Sequence, residues 1–127
     1  MTLKNYETIS LSDLLSHVQE FKKNGYRFMA ITALDYGHEL ELIYSFDHNL
    51  ETRGVRLREL RDAPLQSISS IYFAAFLAEN EIQDFYNVQF KDLIIDYQGH
   101  MFVQEEVRTL PYGQIKVQDK PGTEKEQ

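Results

Sequence analysis

Glu39-Leu40-Glu41-Leu42-Ile43-Tyr44-Ser45-Phe46 alternates with the period of a strand: Leu40, Leu42, Tyr44 and Phe46 fall on one face, Glu39, Glu41 and Ser45 on the other. Successive side chains of a strand point to opposite faces, so this is the pattern of a sheet with one face on a core and one on water. Ahead of it, Tyr26 to Leu34 is apolar and aromatic on both faces, as a central strand would be, and Asp35-Tyr36-Gly37-His38 reads as the turn between them. Behind it, Asp47-His48-Asn49 makes a second turn, and Thr52 to Leu60 alternates again with Val55 and Leu57 inward and Arg56 and Arg58 outward. Three strands at such short spacing predict an antiparallel meander.

Two helical patterns flank the meander. Leu11, Leu14, Leu15, Val18 and Phe21 mark one stripe of a helix over 11–23; Ser10 and Asp13 form a capping box before it, and Lys22, Lys23 and Asn24-Gly25 end it. Asp62-Ala63-Pro64 breaks the third strand, and Ser67 is placed to cap a second helix carrying Ile68, Ile71, Tyr72, Ala75, Phe76, Ile82 and Phe85. From Ile71 to Leu77 this helix is apolar over more than the stripe one sheet requires, which predicts a second packing partner. Phe90 to Ile95 and Met101 to Val107 are candidates for further extended pieces. The expected architecture is α+β: one domain over 1–110, mainly an antiparallel sheet of three to five strands packed by two principal helices, with an extended tail over 111–127 too polar to join a core.

Composition narrows the function. The 127 residues carry 13 Lys and Arg against 20 Asp and Glu, a net charge of −7, which argues against a phosphate-tracking surface and so against nucleic acid. With no cysteine the chain by itself supplies no thiol nucleophile, disulfide or thiolate ligand for zinc or an iron–sulfur cluster. No stretch approaches the roughly 18 apolar residues of a membrane span, and the start lacks the pattern of a secretory signal, so the expected location is cytoplasmic with no direct membrane insertion.

Few side chains are arranged for chemistry. Asp35, His38, Asp47 and His48 are the best metal-like grouping, but turns at opposite ends of one strand hold His38 and His48 roughly 30 Å apart, and turn polarity is the simpler reading. Glu79, Glu81 and Asp84 cluster on one helix, where paired carboxylates serve acid and base catalysis only if burial separates their pKa values, and otherwise form a solvated or salt-bridged face. Arg53, Arg56, Arg58 and Arg61 form a basic patch that more simply balances neighbouring carboxylates than binds an anion. Nucleophile-elbow, phosphate-loop and H-E-x-x-H motifs are absent from the sequence.

The run Ser67 to Phe90 resembles the signature of the 30-kDa subunit of respiratory complex I and its shorter equivalent in energy-converting membrane-bound [NiFe] hydrogenases. Ser67, Ala75, Glu79, Glu81, Asp84, Tyr86, Val88 and Phe90 match it without a gap, and the order of elements upstream, with Asp35 ending the first strand, follows the same family. Three positions depart from it: Asn80 stands for the usual Arg, Asn87 for Gly, and the H-P-D-x-R-R segment is missing after Phe90. Asn tolerates a left-handed cap next best to Gly, whereas Asn80 removes a cation. The short length and missing segment favour the hydrogenase type.

The resemblance implies a subunit of the peripheral arm that binds no cofactor or metal and has no catalytic residue. Its implied partners are the large [NiFe]-hydrogenase-like subunit and the iron–sulfur small subunit, on the inner face of the cell membrane. Tyr72, Phe73, Phe76, Glu79, Glu81, Asp84, Tyr86 and Phe90 are the expected partner interface, with the three carboxylates capping and bridging at the junction. The alternatives are a stand-alone α+β binding or regulatory module, dimeric through the same apolar helix, and a small enzyme using Glu79, Glu81 and Asp84.

Overall fold

The computed structural model describes residues 5–94. In chain order they form β1 (Tyr6–Thr8), a short 3-10 helix (Leu11–Asp13), α1 (Leu14–Lys23), β2 (Arg27–Asp35), β3 (Glu39–His48), β4 (Glu51–Leu60), β5 (Leu65–Gln66), α2 (Ala75–Tyr86) and β6 (Phe90–Lys91). The expected tail over 111–127 and the extended piece Met101 to Val107 lie outside the described residues.

Strands β2, β3 and β4 form the expected antiparallel meander, and the fold is α+β. Leu40, Leu42, Tyr44 and Phe46 of β3 and Val55 and Leu57 of β4 are buried on the face the alternation assigned to the core. The β2–β3 turn uses Gly37 at φ 86°, with the Gly37 N–H donating to Asp35 Oδ1 at 2.9 Å. The β3–β4 turn is tighter than expected: β3 runs to His48, β4 starts at Glu51, and Asn49 and Leu50 between them take φ of 51° and 68°. A two-residue loop with both residues left-handed matches the twist of the strands it joins.

Two features correct the sequence reading of the sheet. β1 adds in parallel to β4, pairing Tyr6 with Gly54, so the order is β1-β4-β3-β2 and the sheet is mixed. Because β4 gains β1 on its far side and β3 lies between β4 and β2, β2 is, among the described residues, an edge strand instead of a central one, and Met29 and Leu34 on its second face are exposed. β1 depends on a close approach: the Tyr6 ring lies over Gly54, where any Cβ would collide with the ring and with the Tyr44 carbonyl. The Tyr6 hydroxyl then reaches Ser45 Oγ at 2.7 Å.

The helices cover the core face. Leu14 and Val18 of α1 are fully buried, each contributing about 1.5–3 kcal/mol by its removal from water, and Phe21 stacks on Phe46 at 4.5 Å between ring centroids. Ser10 does not cap through the backbone; its hydroxyl donates to Asp13 Oδ2 at 3.1 Å, and residues 11–13 wind as a 3-10 turn before the α-helix begins. The second helix starts at Ala75, eight residues after the expected cap. Ser67 and Ile68 cannot begin it, because the Ser67 hydroxyl and the Ile68 N–H are both committed to Glu79 and β5 is held extended by β6. The apolar excess over 68–78 is therefore spent largely within the chain: Ile68, Tyr72, Ala75 and Phe76 are buried, and the Tyr72 hydroxyl donates to the Tyr26 carbonyl at 2.6 Å.

Candidate functional site

The polar centre of the signature segment is Glu79, which is fully buried. Its position on the second turn of α2 aims the carboxylate at the chain leading into the helix. Oε1 accepts from the Ser67 hydroxyl at 2.6 Å and Oε2 from the Ile68 N–H at 2.7 Å. Ser67 Oγ in turn accepts from the Ser69 N–H at 3.0 Å and lies 2.7 Å from Ser69 Oγ, which accepts the Ile94 N–H at 3.0 Å. One carboxylate thus fastens α2, the strand exit at β5 and the chain beyond β6. Burial pushes its pKa up to about 7 against the opposing pull of Ser67 and Ile68. The fully buried Tyr44 hydroxyl has no hydrogen-bond partner among the described residues, and burial, with the Glu79 charge, raises its pKa as well.

The residues read from the sequence as a partner interface divide into two sets. Tyr72, Phe76, Glu79 and Phe90 are buried within this chain, while Phe73, Glu81 and Asp84 are exposed and Tyr86 is half-buried. Leu77, Glu81 and Asp84 fall at i, i+4 and i+7 on one face of α2, with Phe73 one turn ahead. Phe73 is 56% and Leu77 48% exposed, high for such large apolar side chains on adjoining positions. Glu79 is buried away from the exposed Glu81 and Asp84, so the three do not converge as an acid and base pair.

Each arginine of the basic patch faces a carboxylate. Arg53 pairs with Glu51 at 3.1 Å, Arg56 with the buried Glu41 at 2.6 Å, and Arg58 with Glu39 and Glu41 at 3.6 Å while stacking over the Tyr36 ring. Burial raises the Glu41 pKa, but Arg56 and Arg58 outweigh it and hold the group below its ordinary value. Arg61 has a role the sequence did not reveal: Nη1 donates to Asp35 Oδ1 at 2.7 Å and Nη2 to the Tyr86 carbonyl at 2.6 Å. It clamps the β2–β3 turn to the end of α2, and the Gly37 N–H and Arg61 together hold the Asp35 carboxyl below its usual range. Asp35 at the end of β2 and Tyr86 in the signature were the available signal, but their meeting through Arg61 is a product of the fold.

The departures from the signature fit their surroundings. Asn87 caps α2 in the left-handed region, at φ 56° and ψ 45°, with its N–H donating to the Gln83 carbonyl. Asn80 is buried, and its side-chain amide donates to the Phe76 carbonyl at 2.8 Å, a site where a neutral amide needs none of the pairing that a buried cation demands. His38 and His48 sit at opposite ends of β3, and no group of three metal-capable side chains occurs among the described residues. Nor is any described helix long and apolar enough to cross a membrane.

The described residues form a small α+β unit whose signature carboxylate fastens the fold from within, and comparison with known proteins gives its family. The family model described as "Respiratory-chain NADH dehydrogenase, 30 Kd subunit" matches residues 7–111, and the chain belongs to that family. Among solved structures it is similar to a chain from the membrane-bound sulfane sulfur reductase, an archaeal respiratory membrane complex, with a TM-score of 0.69 and 22% identity over 87% of this chain and 70% of that one. At that identity the likeness is one of fold. No curated protein matches the chain.

Proposed function

We propose that this chain is a non-catalytic scaffold subunit in the peripheral arm of a complex I-like or energy-converting membrane-bound [NiFe]-hydrogenase complex. It packs against the large hydrogenase-like subunit, beside the iron–sulfur small subunit, on the cytoplasmic face of the membrane, and holds the electron path in place without binding a cofactor. Family membership supports the assembly. The observation that carries the scaffold role is the division of the signature segment: Glu79 is turned inward to fasten the fold, while Leu77, Glu81 and Asp84 on α2 and Phe73 in the turn before it remain exposed.

Such a stripe, two large apolar side chains continued by two carboxylates, suits a partner that offers an apolar hollow rimmed by Lys or Arg. The test is affinity purification of the tagged chain from detergent-solubilised native membranes. A [NiFe]-type large subunit in the eluate, reduced about tenfold by Leu77→Asp with the fold of the variant intact, is the expected result. Elution of the chain alone, or of partners insensitive to Leu77→Asp and Phe73→Asp together, would overturn the proposal.

A further inference from the structure

The Ser67 and Ser69 hydroxyls are buried and 2.7 Å apart, and either of them can donate to the other. Their bond is the middle of a run of three. Ser67 Oγ lies 2.6 Å from Glu79 Oε1 at one end, and the Ile94 N–H donates to Ser69 Oγ at 3.0 Å at the other. With Glu79 ionised every hydrogen of the run has an acceptor. Ser67 donates to the carboxylate, so Ser69 donates to Ser67, whose second lone pair takes the Ser69 N–H, and Ser69 Oγ is left to accept from Ile94. The negative charge polarises the run and strengthens its last bond.

A proton on Glu79 turns the run around. Oε2 faces the Ile68 N–H, which cannot accept, whereas Oε1 faces a hydroxyl. An Oε1–H therefore donates to Ser67 Oγ, the Ser67 hydrogen swings to Ser69 Oγ, and the Ser69 hydrogen loses its acceptor. Ser69 Oγ has no further partner among the described residues, and a buried hydroxyl hydrogen without an acceptor is costly. Ile94 is 49% exposed, so the cheapest relief is for Ser69 to turn away and yield the Ile94 N–H to water. We infer that Glu79 is the switch of a hydroxyl relay that sets the hold on the chain leaving β6: ionised, it draws Ile94 onto Ser69; protonated, it lets Ile94 go.

The surrounding titratable groups leave Glu79 in sole control of the relay. Tyr44 acts on it from β3, with a fully buried hydroxyl whose pKa is raised well above its ordinary value. Glu81 and Asp84 of α2 and Lys91 and Asp92 at β6 are exposed, while Arg27 and Asp35 at the ends of β2 are paired with Asp47 and Arg61. Burial, opposed by Ser67 and Ile68 and by no described charge, brings the Glu79 pKa to about 7. The switch is a property of this chain and stands apart from the assembly proposed above.

The test is amide exchange of Ile94 in the full chain from pH 5 to pH 9, expressed as protection relative to the intrinsic rate, with the Glu79 carboxyl carbon followed by NMR. The expected result is a rise of about fivefold in Ile94 protection as pH passes the Glu79 midpoint. The Ile9 amide, bonded to the Arg56 carbonyl in the sheet, should show no such rise. General loosening of the fold would lower protection over the same range, so the sign separates the two. Glu79→Gln, whose amide donates to Ser67 at every pH, is expected to keep Ile94 at the low level throughout. Ser67→Ala breaks the relay, keeps the Ser69–Ile94 bond and should abolish the rise. Ile94 protection that stays flat or falls across this range in the wild type overturns the proposal, and so does a rise that persists in Glu79→Gln. The wild-type profile decides the matter where a variant fails to fold.

Discussion

The Ser67 hydroxyl donates a 2.6 Å hydrogen bond to Glu79 Oε1 across twelve residues of chain, inside the core. That bond, with the Ile68 N–H on Oε2, ties the irregular approach of α2 to its second turn. Glu79→Ala leaves two buried donors unsatisfied and opens a cavity, and each unsatisfied group costs about 1–3 kcal/mol. Urea unfolding of the isolated chain should show a loss of about 3 kcal/mol for Glu79→Ala and a smaller loss for Ser67→Ala. Equal stability of Glu79→Ala and wild type would mean the carboxylate does not fasten the fold.

The same carboxylate makes stability depend on pH. Its folded pKa is about 7 and its ordinary value 4.5, so between these the folded state keeps a proton that the unfolded chain has released. The contribution is fully present below pH 4.5 and is lost as pH rises through about 7. Its size is on the order of 3 kcal/mol. Unfolding free energy measured from pH 5 to pH 8 should fall for wild type and fall less for Glu79→Gln, which has no proton to lose. Parallel curves for the two proteins would refute the assignment.

Gly54 should be far less tolerant than Gly37. A Cβ at Gly54 meets the Tyr6 ring and the Tyr44 carbonyl, whereas one at Gly37 meets open space and only the strain of φ +86°. Gly54→Ala is expected to cost about 3 kcal/mol and to release β1; Gly37→Ala about 1 kcal/mol. Thermal melts give the ranking, and exchange at Ile9, whose N–H bonds to the Arg56 carbonyl, reports on β1.

Leu50 occupies a left-handed position at φ 68° with its side chain wholly in solvent. Asn-Gly is the preferred pair for such a loop, so Leu50→Gly should stabilise the chain by about 0.5–1 kcal/mol. A lower melting temperature for the variant would contradict this reading of the turn.

Alternation made β3 and β4 legible from the sequence, because their buried and solvated faces impose a period of two on Leu40 to Phe46 and on Val55 to Leu57. β1 was not legible: three residues carry no period, and its pairing depends on Gly54 being bare beneath Tyr6. The misplaced start of α2 has a related cause. Ser67 and the apolar residues after it have the composition of a capped helix, but Glu79, twelve positions on, takes the Ser67 hydroxyl and the Ile68 N–H. Of the candidate site, the signature marked the segment and included Glu81 and Asp84, which are exposed. It did not reveal that Glu79 faces inward or that Arg61 joins Asp35 to Tyr86, since both contacts exist only once the sheet and α2 are packed.

The scaffold role is tested most directly by zero-length carboxylate-to-lysine cross-linking of native membranes, followed by peptide identification. The account predicts links from Glu81 and Asp84 to lysines of a [NiFe]-type large subunit, lost with Leu77→Asp. Links from these two carboxylates only to a second copy of this chain, or to no [NiFe]-type subunit in membranes where the complex is intact, would contradict it.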